Sequence, residues 1–367
     1  AAGILVLAAD APVGEDFAAT LGPGDTLMEV EVGPNRPDCL SHLGLARELA
    51  VHFGTTAKAP PTPSPAPSTQ SAAQVMVIDR VSCPRYTGRL IEGVKVGPSP
   101  DWLKRRLEAL GLRSINNAVD ATNYLLQENG QPLHVFDADK LAGGRPEIRD
   151  ARPGERLKAL DGRDYALTPD DLVVADAAGP VALAGVIGGE PAGVTAATTR
   201  IYLECARFHP GRVRRAARRL GLRTDSSVRF ERGGDPAAQG SWADRAAALI
   251  VELCGGAAGP LVDTAAAAPV RPLILTSAAK INALLGTAHP AEAVTGVLRR
   301  LSSDLREDGE ELTFVAPSWR LDLNIPEDLA EEVARHLGYD KIPAEAAPAR
   351  LPVPSDLPVP PLAQSRS

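Results

Sequence analysis

The sequence predicts an α+β protein of several domains, and three features of the 367-residue chain lead there. Helix-like patterns and short β-rich runs are interleaved, two proline-rich stretches divide the chain, and a 44% hydrophobic content over this length can fill more than one core.

The chain opens on a strand-like apolar run, GILVLA. Residues 26–32 alternate polar and apolar side chains, as a half-buried strand does. The segment PNRPDCLSHLGLARELAVHFG reads as a turn entering a helix that Asp38 or Ser41 caps and Gly54 ends. Residues 55–75, with KAPPTPSPAPSTQSAA, are expected as a linker, because closely spaced prolines remove backbone donors and favour extended chain. A long mixed region runs from Val75 to Asp263 and a shorter one from Leu273 to Pro343. In the first, DWLKRRLEALGLRS is an amphipathic helix closed by Gly111, and VRRAARRLGLRTDSS repeats the pattern of helix, glycine and polar loop. Between them, Asp-Gly, Ala-Gly and Gly-Gly pairs punctuate β-rich runs as turns. Residues 344–367 return to proline and form a second linker-like tail.

Composition narrows the function classes. No run approaches the roughly 18 apolar residues needed to cross a bilayer, and no export signal is evident, which favours a cytoplasmic location. Cys39, Cys83, Cys205 and Cys254 are far apart without a CxxC pair, so they read as reduced thiols rather than zinc ligands or disulfides. A formal charge of −7 argues against a protein that coats nucleic acid over its whole surface. One basic island stands out, with Arg207, Arg212, Arg214, Arg215, Arg218, Arg219, Arg223, Arg229 and Arg232 against Asp225 and Glu231. It is either a solvated helix face or a local nucleic-acid contact.

Four blocks carry a family resemblance: PNRPDCLSHLGLARELA, INNAVDATNYLLQENGQPLHVFDADKL, LAGVIGGEPAGVTAATTRIYLECARF and GLRTDSSVRFERGGDP. In this order the chain resembles the beta subunit of bacterial phenylalanyl-tRNA synthetase. A fifth block, VAPSWRLDLNIPEDLAEEVARHLGYDKIP, is similar to that subunit's next, winged-helix-like domain. The resemblance implies the end of an OB-fold at 1–22, the end of the N-terminal domain at 23–54, a mixed α/β editing domain at 76–270 and the small winged-helix-like domain at 273–343. The family continues with an inactive synthetase-like module and an anticodon-binding domain, for which 24 residues leave no room. An internal piece of a beta subunit is therefore expected, and the missing initiator Met argues against a free-standing editing enzyme. By the same resemblance the partners are tRNA(Phe) and the alpha subunit of an α2β2 heterotetramer, which holds the ATP-dependent aminoacylation site.

The resemblance also supplies roles. Tyrosine exceeds phenylalanine by one hydroxyl, which an apolar pocket rejects poorly, whereas a site that hydrogen-bonds the hydroxyl discriminates strongly. Glu204, in the apolar run IYLECA, matches the family's residue for that hydroxyl; read on its own it is equally a structural carboxylate paired with Arg207. His134, expected on a loop, matches the editing-site histidine, which orients water or the ester through a ring nitrogen near neutral pH. Gly188 and Gly189 bring backbone N–H donors close to the substrate, or simply form a tight turn. Thr224 and Ser226 match pocket-lining positions, and Asn123 and Arg229 are weaker candidates. No Ser-His-Asp or nucleophilic cysteine arrangement emerges, so direct attack of water on the Tyr-tRNA(Phe) ester is the expected reaction. Asp322, Asp328, Glu331 and Glu332 match positions that hold a Mg2+ shared with the alpha subunit. Their oxygen-only chemistry suits that ion, and helical spacing puts Asp328 on one face with Glu331 and Glu332. Carboxylates at a helix start also complement its dipole without any metal.

Overall fold

The computed structural model describes residues 26–265, 270–302 and 304–344, together with 7, 9–14 and 16. Most of the expected OB-fold end at 1–22, and all of the proline-rich tail but residue 344, fall outside these residues. The chain divides into two units, Ala1–Arg271 with Pro317–Asp322, and Pro272–Ala316 with Leu323–Ser367.

In the first unit, helix α1 (His42–Phe53) begins where the Ser41 hydroxyl accepts the Gly44 N–H, and ends at Gly54 in the left-handed region. Residues 26–32 belong to no strand among the described residues, and most are exposed. The expected strand is thus not seen there: an extended ladder needs a second strand for its backbone donors and acceptors, and none is paired with this stretch among the described residues. The next elements are β1 (Met76–Val77), β2 (Arg85–Glu92), α2 (Asp101–Ala109), α3 (Asn117–Asn129) and β3 (Leu133–Asp137). Then follow β4 (Glu147–Asp150), β5 (Arg156–Lys158), β6 (Asp164–Ala166), β7 (Leu172–Ala175), β8 (Pro180–Leu183), β9 (Ile187–Gly188) and β10 (Arg200–Arg207). The unit continues with α4 (Pro210–Leu220), α5 (Asp225–Arg232), α6 (Gln239–Cys254), β11 (Ala257–Ala258) and β12 (Val262–Asp263).

Two sheets organise these elements. The central one is antiparallel in the order β11-β2-β10-β3, with β12 also on β2; the other runs β1-β4-β7-β8-β9. Along β10, Ile201 and Leu203 belong to the core that α3 and α6 cover through Ala118, Ala121, Leu125, Ala246 and Ile250. Tyr202 and Ala206 point the other way, into a core shared with Phe136 of β3, Tyr86 of β2 and the strands of the second sheet. A strand covered on both faces reads as one unbroken apolar run, which explains why IYLECA shows no alternation. Glu204 is the buried exception on the second face.

The proline-rich stretch lacks helix or strand up to Met76, but its last part is held down. Ser68 N–H donates to Ala258 O (2.9 Å), Ala73 is buried, and the Tyr202 hydroxyl donates to Gln74 O (3.0 Å). The Asp161-Gly162 and Ala178-Gly179 pairs make turns, as expected, whereas Gly188 lies in β9 and Gly189 in a bridge to Ala159. The turn falls instead at 184–186, around Gly185 (φ 73).

The second unit has a three-stranded antiparallel sheet, β13 (Leu273–Thr276), β15 (Glu311–Val315) and β14 (Asp304–Asp308) in spatial order. Helices α7 (Ala278–Leu285), α8 (Ala291–Leu301) and α9 (Pro326–Leu337) accompany it. Ile274, Ile281, Val294, Leu298, Phe314, Leu329 and Val333 are buried there, giving the composition expected of a small winged-helix-like domain.

Gly88 is directly opposite Glu204 across β2 and β10, and a Cβ there would lie 2.3 Å from the Tyr202 hydroxyl oxygen. Gly88→Ala is therefore expected to overpack this face and cost about 1–3 kcal/mol. A urea midpoint equal to that of the wild type would refute the close-packing argument.

Candidate functional site

The cavity that collects most of the candidate residues is ≈ 220 Å³ in volume and lies between the central sheet, the 182–188 segment and the start of α5. His134 and Glu204 line it from neighbouring strands, Gly185 to Gly188 from the opposite wall, Thr224 to Ser226 from α5, and Asn123 from α3. Gly189 and Arg229 are not among the lining residues. Sequence distance hides this arrangement, because β3 and β10 are 70 positions apart yet place His134 directly opposite Glu204.

Glu204 is buried, and Tyr86 Oη donates to its Oε2 at 2.7 Å. The contact is diagonal across β2 and β10: Gly88 is opposite Glu204, and Tyr86 is two residues further along the same face. The alternative reading, a pair with Arg207, does not occur, since residues three apart on a strand point to opposite faces. Among the described residues Oε1 has no hydrogen-bond partner and Glu204 lines the cavity, so a free acceptor is available there. Burial pushes the carboxyl up to about 7, and the Tyr86 hydroxyl, which favours the ionised form, restrains that rise.

His134 lies on β3 rather than on a loop. Its ring packs edge-on against Phe136 with centroids 4.5 Å apart, and a Cβ on Gly188 would come within 2.6 Å of its Cε1. Gly188 is thus required for close approach of backbone to imidazole. Burial lowers His134 to about 4, so the imidazole is neutral across the physiological range instead of titrating near pH 7. A neutral ring offers one N–H and one lone pair, a combination that can orient a water or an ester oxygen but makes a weak base.

The hydroxyls on α5 have structural work. Thr224 Oγ1 donates to Val186 O (2.7 Å) and accepts the Ser227 N–H (3.0 Å), while Ser226 Oγ donates to Gly185 O (3.1 Å). They pin the 184–186 turn to the helix start and thereby set the width of the cavity. The Gly189 N–H donates to Val181 O (2.8 Å), which removes it as an oxyanion donor. Arg229 donates to Asp225, Leu40 O and Gln127, tying α5 to the N-terminal segment. All four cysteines are free and buried, and burial pushes each thiol upward, away from nucleophile chemistry. Tyr86 was not singled out from sequence; a tyrosine in an apolar strand carries no local mark of the carboxyl it contacts.

Residues 82–255 match the B3/4 domain and residues 274–339 the tRNA synthetase B5 domain. The phenylalanine–tRNA ligase beta subunit of Anaeromyxobacter dehalogenans is 46% identical over 347 residues, 94% of this chain and 43% of the relative. The beta subunits of Chromobacterium violaceum and Geobacter metallireducens are each 45% identical, over 94% and 95% of this chain and 44% of their own length. The chain belongs to the phenylalanine–tRNA ligase beta-subunit family. It spans less than half the length of these curated relatives.

In the B5 region the four carboxylates expected for Mg2+ differ in their surroundings. Asp322, in the first unit, accepts from Arg320 Nε and Nη2 (2.9 and 2.8 Å). In the second unit, Asp328 accepts the Asn324 and Ile325 N–H groups at the start of α9, and buried Glu332 accepts from Arg335 (2.8 Å). Glu331 is exposed while Glu332 turns inward, so adjacent positions on the helix do not share an accessible face. Among the described residues no group of three or more His, Cys, Asp or Glu side chains is placed to hold a metal ion. No helix among them is long and apolar enough to cross a membrane.

The shifted carboxyl makes a testable contribution to stability. Glu204 holds its proton more tightly in the folded chain (about 7) than in the unfolded one (about 4.5), so stability is fully present below the lower value and lost as pH rises through the upper one. Between pH 5 and 8 that loss should be on the order of 3 kcal/mol. His134 acts in the opposite sense below pH 6.5, where the unfolded chain takes up its proton first. In Glu204→Gln the decline above pH 5 should flatten; urea midpoints that fall in parallel for both proteins would exclude a raised Glu204.

Proposed function

We propose that this chain is the tRNA-binding and editing part of a phenylalanine–tRNA ligase beta subunit, and that it hydrolyses tyrosine esterified to tRNA(Phe). The observation that carries the proposal is the Glu204 carboxyl, held on one oxygen by Tyr86 and open to the cavity on the other. A tyrosine side chain entering the cavity donates its phenolic proton to Oε1 of the ionised carboxylate. Phenylalanine leaves that buried acceptor unpaired, and a site of this kind rejects the lacking analogue by roughly 10⁴-fold.

The ester end then faces His134. The neutral imidazole orients a water, whose oxygen adds to the ester carbonyl; the bond to the ribose oxygen breaks, the ribose oxygen takes the proton, and tyrosine and uncharged tRNA leave. Alignment is the main contribution of the protein, since holding water and ester in register converts an encounter into an intramolecular step. The backbone at Gly188 lets this wall approach the ring closely enough to hold it.

Attachment of phenylalanine, with ATP and the alpha subunit in an α2β2 heterotetramer, is assigned in this reading to the assembled cytoplasmic ligase. A Mg2+ at Asp322, Asp328, Glu331 and Glu332 would have to compete with the present partners of Asp322, Asp328 and Glu332, and no step of the proposed hydrolysis passes through it.

Deacylation of Tyr-tRNA(Phe) and Phe-tRNA(Phe) by the purified chain, alone and with the alpha subunit, tests the reading. The wild type should release tyrosine and spare phenylalanine. Glu204→Ala should lower the Tyr/Phe preference by about 10²-fold or more. Equal rates on both esters, or no hydrolysis even with the alpha subunit, would instead mark the chain as a noncatalytic tRNA-binding and assembly scaffold.

A further inference from the structure

Apart from Arg207, partly buried at the end of β10, the arginine island separates into two groups that do different things. Arg212 pairs with Asp79 and Asp150, Arg219 with Asp171, and Arg229 with Asp225, while Arg232 donates to Val32 O. These four fasten α4 and α5 to the rest of the first unit. Arg214, Arg215, Arg218 and Arg223 are exposed, and among the described residues none has an ion-pair or hydrogen-bond partner.

Helix geometry explains the division. Val213, Ala216 and Ala217 form the buried stripe of α4, so Arg214, Arg215 and Arg218, at spacings of one and four, stand on the opposite face. Gly221, in the left-handed region, ends the helix and turns the chain so that Arg223 comes immediately before Thr224, a lining residue of the Glu204 cavity. The unpaired cations therefore stand on the outer face of α4 and, at Arg223, in the chain that leads into the cavity lining. On a chain of net charge −7, four uncompensated arginines in one place give a local positive field that suits a polyanion. Guanidinium groups also bind phosphate oxygens in a bidentate manner.

We propose that Arg214, Arg215, Arg218 and Arg223 bind the phosphate backbone of the RNA strand whose aminoacylated 3′ end enters the cavity, and so position the ester. This rests on the editing reading above. The four are positioning residues: they touch phosphates remote from the reacting carbonyl. They govern how often the ester arrives and leave the bond-breaking step to the cavity.

The test uses the full chain, together with the alpha subunit if hydrolysis requires it. Uncharged tRNA(Phe) binding is followed by fluorescence anisotropy across a salt series for the wild type, for a variant with all four arginines changed to Gln and for one with all four changed to Lys. Deacylation is measured on Tyr-tRNA(Phe) and on 2′(3′)-O-tyrosyl-adenosine, an ester without phosphates. With about 0.7 counterion released per single-strand phosphate contact, the Gln variant should show a log K against log salt slope shallower by about 2 to 3, and a KM for Tyr-tRNA(Phe) raised at least about 10-fold with kcat kept. The Lys variant should retain most of the slope, and KM for tyrosyl-adenosine should be the same in the Gln variant and the wild type. An unchanged slope, a Lys variant as impaired as the Gln variant, or a parallel rise in KM for tyrosyl-adenosine would each overturn the assignment. Failure of the editing reading looks different: the wild type then hydrolyses neither ester, while the salt slopes still report on the patch.

Discussion

The first unit is arranged around one costly fact, a carboxyl group held inside a sheet between two cores. An ionised carboxylate in that position is tolerated only with a partner, and a neutral one only if its proton is held. The solution uses cross-strand geometry: β2 supplies Tyr86 as donor and Gly88 as empty space, and β3 supplies His134 and Phe136 on the same face. Each neighbour then has its own requirement. Tyr202 fits because Gly88 has no side chain, and His134 fits because Gly188 has none. The same low polarity that raises Glu204 lowers His134, so one environment keeps the imidazole neutral and brings the carboxyl to titrate near physiological pH.

Much of this could be read before the fold was known. The helix caps at Ser41 and Gly54, the glycine ends of α2 and α4, the two Ala-Gly and Asp-Gly turns and the burial of Glu204 follow from local chemistry, and they are where the sequence places them. What was not legible depends on contacts between distant segments. Residues 26–32 have the alternation of a strand and no strand paired with them among the described residues. The Gly188-Gly189 pair resembles a turn, but pairing with β8 and Ala159 keeps it extended. Tyr86 and Glu204 are 118 positions apart, and no spacing rule connects them. The grouping of His134, Gly188, Glu204, Thr224 and Ser226 came from family resemblance, and the structure adds the wall contacts that resemblance alone does not contain.

The hydroxyls of Thr224 and Ser226 illustrate how a lining residue can act without touching chemistry. Both donate to carbonyls of the 184–186 turn, so their loss alters the spacing of the cavity walls before it alters any group facing substrate. Charge follows a similar division of labour. Arginines consumed by Asp79, Asp150, Asp171 and Asp225 rigidify the helix pair, and only the remainder can respond to an external anion.

The tail of the proline-rich stretch has a consequence for how the chain behaves among its own copies. A sheet edge with vacant donors and acceptors invites another strand, and growth of that kind ends in aggregation. Ser68 hydrogen-bonds to Ala258 on β11, the outermost strand of the central sheet, and Ser71 packs against Gly259 just beyond that strand. The chain that leads into this contact carries prolines at 60, 61, 63, 65 and 67, and without N–H groups those positions cannot pass the ladder on. The same residues that look like a spacer in the sequence thus act as a selvedge for the sheet, finishing it against self-association.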